Sequence, residues 1–509
     1  MPNAPCPMPI DYDIVIIGGS LTARYAALVA KQLHAKVALV EPKLNYGFFY
    51  HQAISEIANL TQHVSESVGL SIPNCELETP EKSPISVVLP EAMLYAQGVV
   101  SNIEAQHSIA NLAALGVDVI VDNGQFQSSP HLAFAIGDAS AGIGQRLLRS
   151  RTYLLATGSR PAIPEIDGLS ATGYFTLSNI WQFLMYGRSL PVSNSHASTP
   201  PKDWVILGGV PQSIEIAQTL ARLGCNVTFI VKRSQILPNI DPEISQLVQA
   251  QLQVDGVRIF TNTEVTQVRR IDDKKWVQAG DKAIETDEIL VATGQQPNVE
   301  SLNLAAVNVK WYQHRLAVNK KLQTTNHRIY ACGDVIGGYD FINVAKYEAR
   351  IALNNALFLP NSQVNYRCIP VAVFSQPMLT QVGLTEKKAK QQYHQQEVLV
   401  VRQYFKTVAA AQIHNETTGI CKLILLRNGK ILGAEIFGAA AGELINIIAL
   451  AMSQNFKIHQ LENLSPIYPS FAEIIEKSVQ EWHKQQLNTD ISRIEFIENF
   501  LHFRRDWNI

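Results

Sequence analysis

The feature that most constrains this chain is a pair of matching segments in which apolar residues lead into a glycine turn. The first is Asp-Ile-Val-Ile-Ile-Gly-Gly-Ser at 13–20, and the second is Trp-Val-Ile-Leu-Gly-Gly-Val at 204–210. Helical patterns follow over Leu21–His34 and from Pro211 to Gly224, and each leads to a second apolar strand. Strand, glycine turn and helix in this order are typical of a dinucleotide-binding unit. The chain is therefore predicted to hold two dinucleotides and to move electrons between them.

The turn glycines are informative because backbone N–H groups must approach a pyrophosphate at the positive end of a helix. The second motif position, where a Cβ atom would crowd the pyrophosphate, holds Ser20 in one unit and Val210 in the other, so neither motif is complete. The predicted cofactor-binding residues of the turns are Gly18, Gly19, Ser20, Gly208, Gly209 and Val210. Two ordinary βαβ crossovers without a ligand are the alternative interpretation.

The two units differ where their second strand ends. Glu41 lies 23 residues after Gly18, where an acidic side chain would accept hydrogen bonds from a ribose, so the first unit is predicted to bind FAD or NAD. The same offset in the second unit gives Val231, followed by Lys232 and Arg233. Without a carboxylate to repel a 2′-phosphate, and with two cations beside it, this unit is predicted to prefer NADPH. A solvated basic pair is the alternative.

Composition and charge limit the class of protein. A net charge of −2 argues against nucleic acid binding, and 47% apolar residues suffice for the cores of several domains. We expect neither a transmembrane helix nor a signal peptide, because no apolar run is long enough and the N-terminus lacks a charged segment. A cytoplasmic location is expected. The six cysteines are scattered without metal-ligand spacing, so no metal is expected.

Breaks in pattern predict the organisation along the chain. Leu190–Asp203, rich in Pro, Ser, Asn and His, is predicted to be a linker, and residues 60–86 a surface excursion. Beyond about residue 365, alternating strands such as Cys421–Leu426 precede an apolar helix over Glu443–Ser453. This last region carries no nucleotide motif and is interpreted as an interface or packing domain.

Three further strand ends carry small or acidic residues. Ala-Thr-Gly occurs at 156–158 and again at 292–294, where the backbone can pass close to a cofactor. Thr157, Gly158 and Gly294 are therefore candidate cofactor-binding residues. A third strand over 329–334 ends in Asp334, an acid placed to meet a polar group of a ligand.

Together these residues resemble the pyridine nucleotide-disulfide oxidoreductases, the flavoenzyme family of mercuric reductase, dihydrolipoamide dehydrogenase and glutathione reductase. The resemblance covers residues 11–482 and includes Val-Gly-Leu-Thr-Glu at 382–386. It implies an α/β fold with two Rossmann-like domains, for FAD and NAD(P)H, and a C-terminal α+β dimerisation domain of a homodimer. Asp334 would hold the ribityl or pyrophosphate region of the flavin, and Glu215 would face the nicotinamide and the flavin.

The resemblance also implies domain boundaries. The FAD-binding domain would comprise 1–185 and 298–364, the NADPH-binding domain 186–297 and the dimerisation domain 365–484, followed by a helical tail over 485–509. In that tail Ile491, Ile494, Ile497 and Leu501 lie on one helical face, near several phenylalanines. We expect this face to pack on the protein's own body. The dimer partner and a membrane surface are the alternatives.

The chain departs from the family at its redox disulfide. The family motif resembles Cys-Leu-Asn-Tyr-Gly-Cys-x-Pro-Ser-Lys, but here Lys43 and Phe48 stand at the cysteine positions and Gln52 at the lysine position. A dithiol reductase needs a charge-transfer thiolate and an exchange thiol, which neither side chain can replace. Disulfide reduction by the usual motif is therefore not expected.

A second departure concerns the general base near the C-terminus. The family pattern His-Pro-Thr-x-x-Glu occurs here as Tyr-Pro-Ser-Phe-Ala-Glu over 468–473. A phenol with an ordinary pKa near 10 is a poor base at neutral pH. Some relatives, mercuric reductases among them, resemble this chain in having a tyrosine near this point. Tyr468 and Glu473 therefore remain candidate catalytic residues.

The remaining parts still define a reaction. NADPH would reduce FAD, and the reduced flavin would pass electrons to a small-molecule acceptor that is not a disulfide. Phe48, Phe49, Tyr50 and His51 are expected to line the acceptor face, where aromatic rings suit a quinone or dye and His51 could supply a proton. The alternative is that these side chains plug the vacated disulfide site. Phe48, His51 and Glu215 are the catalytic candidates.

The leading hypothesis is thus an NADPH-dependent flavin oxidoreductase of diaphorase or quinone-reductase type. One alternative is a catalytically silent flavoprotein that serves as a binding or regulatory partner. Another is a mercuric or thiol reductase that uses cysteines elsewhere, such as Cys75 or Cys6.

Overall fold

The computed structural model describes residues 9–40, 46–69, 89–128, 131–137, 145–186, 201–312, 315–338, 340–489 and 491–507. The chain divides into two compact units. The first comprises Met1–Lys232 with Gly256–Asn365, and the second comprises Arg233–Asp255 with Tyr366–Ile509. The segment 233–255 thus belongs to the C-terminal unit, although it lies in sequence between strands of the predicted NADPH-binding domain.

The secondary structure follows the predicted alternation of strands and helices. Up to residue 186 the elements are β1 (Tyr12–Ile17), α1 (Leu21–Gln32), β2 (Val37–Val40), α2 (Gly47–Gly69), α3 (Leu89–Gln106), α4 (Ile109–Ala114), β3 (Asp118–Ile120), β4 (Gly124–Gln127), β5 (Ala133–Ile136), β6 (Arg146–Leu148), β7 (Ser150–Leu155), β8 (Ser159–Pro161), α5 (Leu169–Thr172), β9 (Phe175–Thr176) and α6 (Ile180–Tyr186). From 201 to 338 they are β10 (Asp203–Gly208), α7 (Pro211–Arg222), β11 (Asn226–Val231), α8 (Pro242–Val254), β12 (Arg258–Phe260), β13 (Val265–Ile271), β14 (Lys274–Ala279), β15 (Lys282–Thr286), β16 (Glu288–Ala292), β17 (Gln295–Pro297), β18 (Trp311–Tyr312), β19 (Arg315–Leu316) and β20 (Ile329–Ala331). The remainder forms α9 (Ile342–Leu357), β21 (Val371–Val373), β22 (Met378–Gly383), α10 (Glu386–Gln392), β23 (Val398–Tyr404), α11 (Ala409–Ile413), β24 (Ile420–Leu426), β25 (Ile431–Gly438), α12 (Ala441–Ser453), α13 (Glu473–Thr489) and α14 (Ile491–Asp506).

The first sheet has the strand order β20-β7-β1-β2-β3, and all its pairs are parallel. Strand β1 lies at its centre and is buried from Ile14 to Ile17, which explains the continuous apolar run in the sequence. Helix α1 presents buried alanines to the sheet, so helix and strands pack closely. The helix ends at Gln32, earlier than predicted, and His34 then adopts a left-handed conformation.

The second sheet has the order β12-β11-β10-β16-β9 and is also parallel. Strand β10 enters the second glycine turn, and helix α7 follows with Ile214 and Ala217 buried. Its edge strand β9 comes from before residue 186, within the predicted first FAD-binding segment. Phe175 of β9 lies opposite Leu290 of β16, and its ring lies 6.0 Å from Trp204 of β10, so this strand belongs to the nucleotide sheet that follows it in sequence.

The C-terminal unit contains an antiparallel sheet of order β21-β22-β25-β24-β23. Strand β25 is buried along its whole length, between neighbouring strands and in contact with α12 and α8. The fold therefore confirms the predicted α/β class with two Rossmann-like sheets and a C-terminal α+β domain.

Two sequence expectations, the surface excursion and the linker, need correction or lie outside the described residues. Residues 60–69 continue helix α2 rather than forming an excursion, since no glycine or proline interrupts the helix before Gly69. Residues 70–88 and 187–200, the cores of the predicted excursion and linker, lie outside the described part of the chain.

The expectation that the C-terminal tail packs on the protein's own body is wrong for the side chains that the structure describes. Ile497 and Leu501 are exposed, as are the aromatic residues Phe496, Phe500, Phe503 and Trp507. The side chains of Ile491 and Ile494 lie outside the described set. Helical periodicity identified the helix but could not show whether a partner surface lies within reach. Among the described helices, none combines the length and apolar character needed to cross a bilayer.

Candidate functional site

The first glycine turn brings the ends of β1 and β7 together. A Cβ atom on Gly18 would overlap the carbonyl oxygen of Ala156, and its φ of +152° lies in the region that favours glycine. Ser20 caps α1, because its Oγ accepts from the N–H of Ala23 at 3.1 Å and donates to the carbonyl of Ala156 at 3.1 Å. The first turn of α1 carries no acidic residue. An uncrowded helix N-terminus without negative charge fits the pyrophosphate of FAD.

The second glycine turn is built in the same way. A Cβ atom on Gly208 would overlap the ring of Phe229, and one on Gly209 would come within 3.0 Å of the carbonyl oxygen of Thr293. Val210 stands at the N-cap of α7, where no side chain caps the helix and no acid occupies the first turn. The N-terminal end of α7 therefore fits the pyrophosphate of a second dinucleotide.

The two Ala-Thr-Gly strand ends are held by their threonines. Thr157 Oγ1 donates to the carbonyl of Asn298 at 2.8 Å, and the Asn298 side chain donates back to the Thr157 carbonyl at 3.1 Å. Thr293 Oγ1 donates to the carbonyl of Ala162 at 3.1 Å. The predicted residues Gly158 and Gly294 accept backbone hydrogen bonds in the same two connections. These threonines therefore position the strand ends beside the glycine turns.

Asp334 does not extend from a strand end as an exposed acid. It lies half-buried in a 3₁₀ turn after β20, where Ser159 Oγ donates to its carboxylate at 3.3 Å. Burial and then the neighbouring Asp340 carboxylate raise the pKa of Asp334 to about 8. Gln212, in the first turn of α7, donates to Asp340 Oδ2 at 3.2 Å. This carboxyl pair links the predicted flavin-binding turn to the helix of the second dinucleotide unit.

Asp340 was not predicted. It lies two residues before α9, and only the fold brings it to Asp334 and Gln212. An acidic residue close to the start of a helix was the one signal in the sequence, and such residues are common at helix starts.

Helices α2 and α7 meet along a polar seam. Glu215 of α7 faces His51 and Gln52 of α2, with His51 Nε2 at 3.2 Å from Glu215 Oε2 and Gln52 Nε2 donating to the same oxygen at 3.4 Å. Further along, Thr219 Oγ1 donates to Ser55 Oγ at 3.1 Å. The spacing of three to four residues on each helix places these groups on facing sides.

His51 is almost fully buried at the centre of this seam. Its ring stacks on Trp181 with centroids 5.4 Å apart, and Glu215 is 3% exposed. Neither ring nitrogen has an aligned hydrogen bond to another described residue, although Nε2 lies at ion-pair distance from Glu215. A buried imidazole beside a buried carboxylate can hold a proton and pass it on.

The expected aromatic wall over residues 48–51 does not form as a single surface. These residues are consecutive in α2, and successive helical side chains point in directions about 100° apart. Phe48 is 37% exposed and packs edge-on against Phe49 at 5.6 Å, whereas His51 is buried. Phe48 and His51 therefore differ in exposure, and whether these side chains plug the vacated disulfide site or line an acceptor pocket stays a prediction.

Tyr468 and Glu473 lie in the C-terminal unit and are not paired with each other. Tyr468 is 74% exposed. Glu473, the first residue of α13, accepts from the N–H of Ala409 at 3.0 Å and lies 3.0 Å from Lys477 Nζ. Within this chain Glu473 holds the start of α11, which is a structural role.

Lys232 and Arg233, the predicted NADPH-binding cations, are both exposed. Lys232 is not free, since its Nζ lies 2.6 Å from Glu264 Oε1. Glu41 and Lys43 lie outside the described residues.

Three of the four cysteines that the structure describes are poor nucleophiles. Burial raises the pKa of Cys225 to about 11 and of Cys421 to about 12, and it also raises that of Cys332 well above the ordinary value. Cys368 is half-buried, and Cys6 and Cys75 lie outside the described ranges.

A cluster of carboxylates in the C-terminal unit has the spacing of a metal site. Asp241, Glu243 and Glu386 converge there, but the ammonium group of Lys422 lies among them, 2.8 Å from Asp241 and 2.8 Å from Glu386. Lys422 also contacts Glu243, which Arg402 contacts in turn. The cluster is therefore an ion-pair network in which lysine occupies the place of a cation.

Two parallel sheets, each followed by an open helix N-terminus, are typical of the class of proteins that bind two dinucleotides. A model described as pyridine nucleotide-disulphide oxidoreductase matches residues 12–349, and the dimerisation domain of that family matches residues 369–479. The chain belongs to the pyridine nucleotide-disulphide oxidoreductase family. It is thus an FAD-dependent NAD(P)H oxidoreductase, which confirms the predicted family and cofactors, and its dimerisation domain supports a homodimer.

Similar proteins include enzymes of two activities. The chain is 29% identical over 490 residues to a mercuric reductase of Staphylococcus aureus, covering 95% of this chain and 84% of that protein. It is 28% identical over 458 residues to a dihydrolipoyl dehydrogenase of Bacillus subtilis, covering 87% and 92%. The solved structure of LpdA from Mycobacterium tuberculosis matches with a TM-score of 0.79 at 21% identity, covering 92% of this chain and 99% of that one. This last likeness shows the fold.

Proposed function

We propose that this protein transfers reducing equivalents from NADPH, by way of FAD, to a small acceptor that is not a disulfide, such as a quinone or a dye. The observation that carries the proposal is the start of helix α2, where the second cysteine position of the family motif holds the exposed ring of Phe48. An exposed aromatic ring offers a flat contact to a planar acceptor but no thiol to a disulfide.

The residues around the two glycine turns would hold the cofactors. Gly18, Gly19 and Ser20 with α1 would bind the FAD pyrophosphate, and Gly208, Gly209 and Val210 with α7 would bind that of NADPH. Thr157, Gly158 and Gly294 would lie beside them, and Asp334 would contact the ribityl or pyrophosphate region of the flavin. When bound, FAD supplies hydride acceptance from the nicotinamide and electron delivery to the acceptor.

The seam between α2 and α7 would hold and deliver the proton that the reduction of a quinone requires. His51 would hold it on Nε2 beside Glu215, and the ring stacking on Trp181 would keep the imidazole in place. Gln52 donates to the Glu215 carboxylate at a position where the family motif has a lysine, so it orients Glu215 without adding a charge. A quinone that accepts two electrons also needs protons, and His51 is the group placed to supply one.

A disulfide or mercuric reductase is the second candidate, and the relatives favour it. The similar proteins include mercuric reductases and dihydrolipoyl dehydrogenases. Because burial raises the pKa of the thiols of Cys225, Cys332 and Cys421, such an activity would use a cysteine outside the usual motif, such as Cys6 or Cys75.

Anaerobic titration of the FAD-loaded protein with NADPH tests the proposal. We expect the flavin absorbance to bleach rapidly and to return on addition of a quinone or ferricyanide, with turnover retained when all six cysteines are replaced by serine. A flavin that NADPH does not reduce would instead indicate a catalytically silent binding protein. Turnover with disulfides or Hg²⁺ alone, abolished by the cysteine replacement, would establish the second candidate.

A further inference from the structure

Strand β11 ends without an acidic residue, but the carboxylate of Glu264, which follows strand β12, lies beside its end. Strand β12 pairs with β11 in parallel, with Ile230 opposite Phe260, so both strands end at the same edge of the sheet. The chain that follows β12 is held to this edge, because the N–H of Thr263 donates to the carbonyl of Val231 at 3.2 Å. Glu264 therefore lies beside the end of β11, where an acidic residue would bind a ribose.

Glu264 also engages the cation predicted to select NADPH. Its Oε1 lies 2.6 Å from Lys232 Nζ, and the two side chains are 61% and 73% exposed. An ion pair this exposed is weak and is readily broken by a competing ligand. A nucleotide arriving at this edge therefore meets an anion and a cation side by side.

We infer that Glu264 is a specificity-determining residue that lets the second dinucleotide unit use NADH as well as NADPH. Its carboxylate can accept a hydrogen bond from the 2′-hydroxyl of NADH, as an acid at the end of β11 would. The same carboxylate repels the 2′-phosphate of NADPH and competes with it for Lys232. This inference rests on the proposed NAD(P)H site and names the group that sets its preference.

The test measures nucleotide preference in two independent ways. Flavin reduction by NADPH and by NADH is followed under argon in the wild-type holoprotein and in the Glu264→Gln variant. Binding of 2′,5′-ADP and of 5′-ADP to the same proteins is measured by calorimetry. We expect Glu264→Gln to raise the preference for the 2′-phosphorylated ligand about tenfold in both measurements, since one nearby like charge is removed. The change should shrink at high salt.

Glu285→Gln is the matched control, because Glu285 is an exposed glutamate on β15 of the same unit. It should leave the preference unchanged. An unchanged preference in Glu264→Gln, or an equal change in Glu285→Gln, would overturn the inference. If no nucleotide reduced the flavin in any variant, the proposed function would fail, and the calorimetric comparison would still decide the role of Glu264.

Discussion

At the scale of single residues, the buried pair of His51 and Glu215 lies on the helix that carries the changed cysteine position Phe48 and on the facing helix α7. Both side chains are buried, and the imidazole ring is held in place by stacking on Trp181. Position 51 was predicted to supply a proton, but its partner Glu215 was predicted only to face the rings. The structure brings the two within 3.2 Å.

Replacing His51 by Gln should separate proton delivery from electron delivery. We expect turnover with a quinone to fall about 100-fold, because the two-electron reduction of a quinone needs protons. Turnover with ferricyanide, which takes electrons alone, should change little. Steady-state rates with the two acceptors provide the measurement.

His63→Gln, on the same helix, is the matched control and should affect neither acceptor. Equal losses with both acceptors in His51→Gln would contradict a proton role and indicate that His51 only holds the site together.

At the scale of the elements, each glycine turn depends on a close approach of two strand ends. Sequence patterns predict where the glycines lie. The reason that position 18 must be glycine is the carbonyl of Ala156, which directly follows β7 and is distant in the chain. Strand pairing between β1 and β7 thus decides what the turn can tolerate.

Gly18→Ala should destabilise the protein by about 1–3 kcal/mol and lower its flavin content, because the added Cβ atom overlaps the Ala156 carbonyl and the backbone conformation is strained. Gly98→Ala, in the middle of α3, is the comparison, since a Cβ atom there meets open space. It should be neutral or slightly stabilising. Thermal unfolding and the ratio of flavin to protein absorbance measure both effects. Equal unfolding temperatures and flavin contents in the two variants would show that the ends of β1 and β7 can move apart to accept the added Cβ atom.

Strand β25 carries a buried acid that makes stability depend on pH. Burial and then the Asp241 carboxylate raise the pKa of Glu435 to about 8, against an ordinary value of 4.5. The folded chain therefore keeps a proton that the unfolded chain releases, so this contribution to stability is complete below pH 4.5 and is lost as the pH rises to about 8.

Glu435→Gln should remove that part of the pH dependence, because the amide is neutral at every pH. Urea unfolding of both proteins between about pH 5 and about pH 8.5 measures the difference. We expect the free energy of unfolding to decline with rising pH more steeply in the wild type than in the variant. Parallel profiles would mean that Glu435 is ionised throughout.

The ion-pair network around Lys422 also contains Glu386, which affects stability only at acidic pH. Although burial opposes it, hydrogen bonds from Lys390 and Lys422 lower the pKa of Glu386 to about 2. Its contribution is present above the ordinary pKa and is lost only as the pH falls toward 2. The network therefore does not obscure the change expected at Glu435.

At the scale of the whole molecule, the C-terminal region combines a family dimerisation domain with an additional exposed helix. The match to the dimerisation domain ends at residue 479, within α13, and the exposed aromatic residues of α14 follow it. Since α14 lies beyond the matched dimerisation domain, we expect the dimer to form without it.

A chain truncated after Thr489 should remain a dimer with unchanged flavin content. Light scattering after size-exclusion chromatography should give a mass near twice the subunit mass, which is 56.3 kDa for the full chain. The full chain should bind more of a hydrophobic dye than the truncated one, because the exposed rings of α14 are removed. A truncated monomer would show instead that α14 covers the partner subunit.

The sequence by itself determined the local elements: the two strand-turn-helix units, strand β11, the C-terminal strands and the absence of cysteine from the redox motif. These features depend on periodicity and on residues close together in the chain, which is why pattern alone predicts them. Only the tertiary structure decided that His51 meets Glu215, that Asp340 joins Asp334, that Glu264 holds Lys232 and that β9 joins the second sheet. Each of these contacts joins groups on different elements, and packing between elements sets distances that no local pattern encodes.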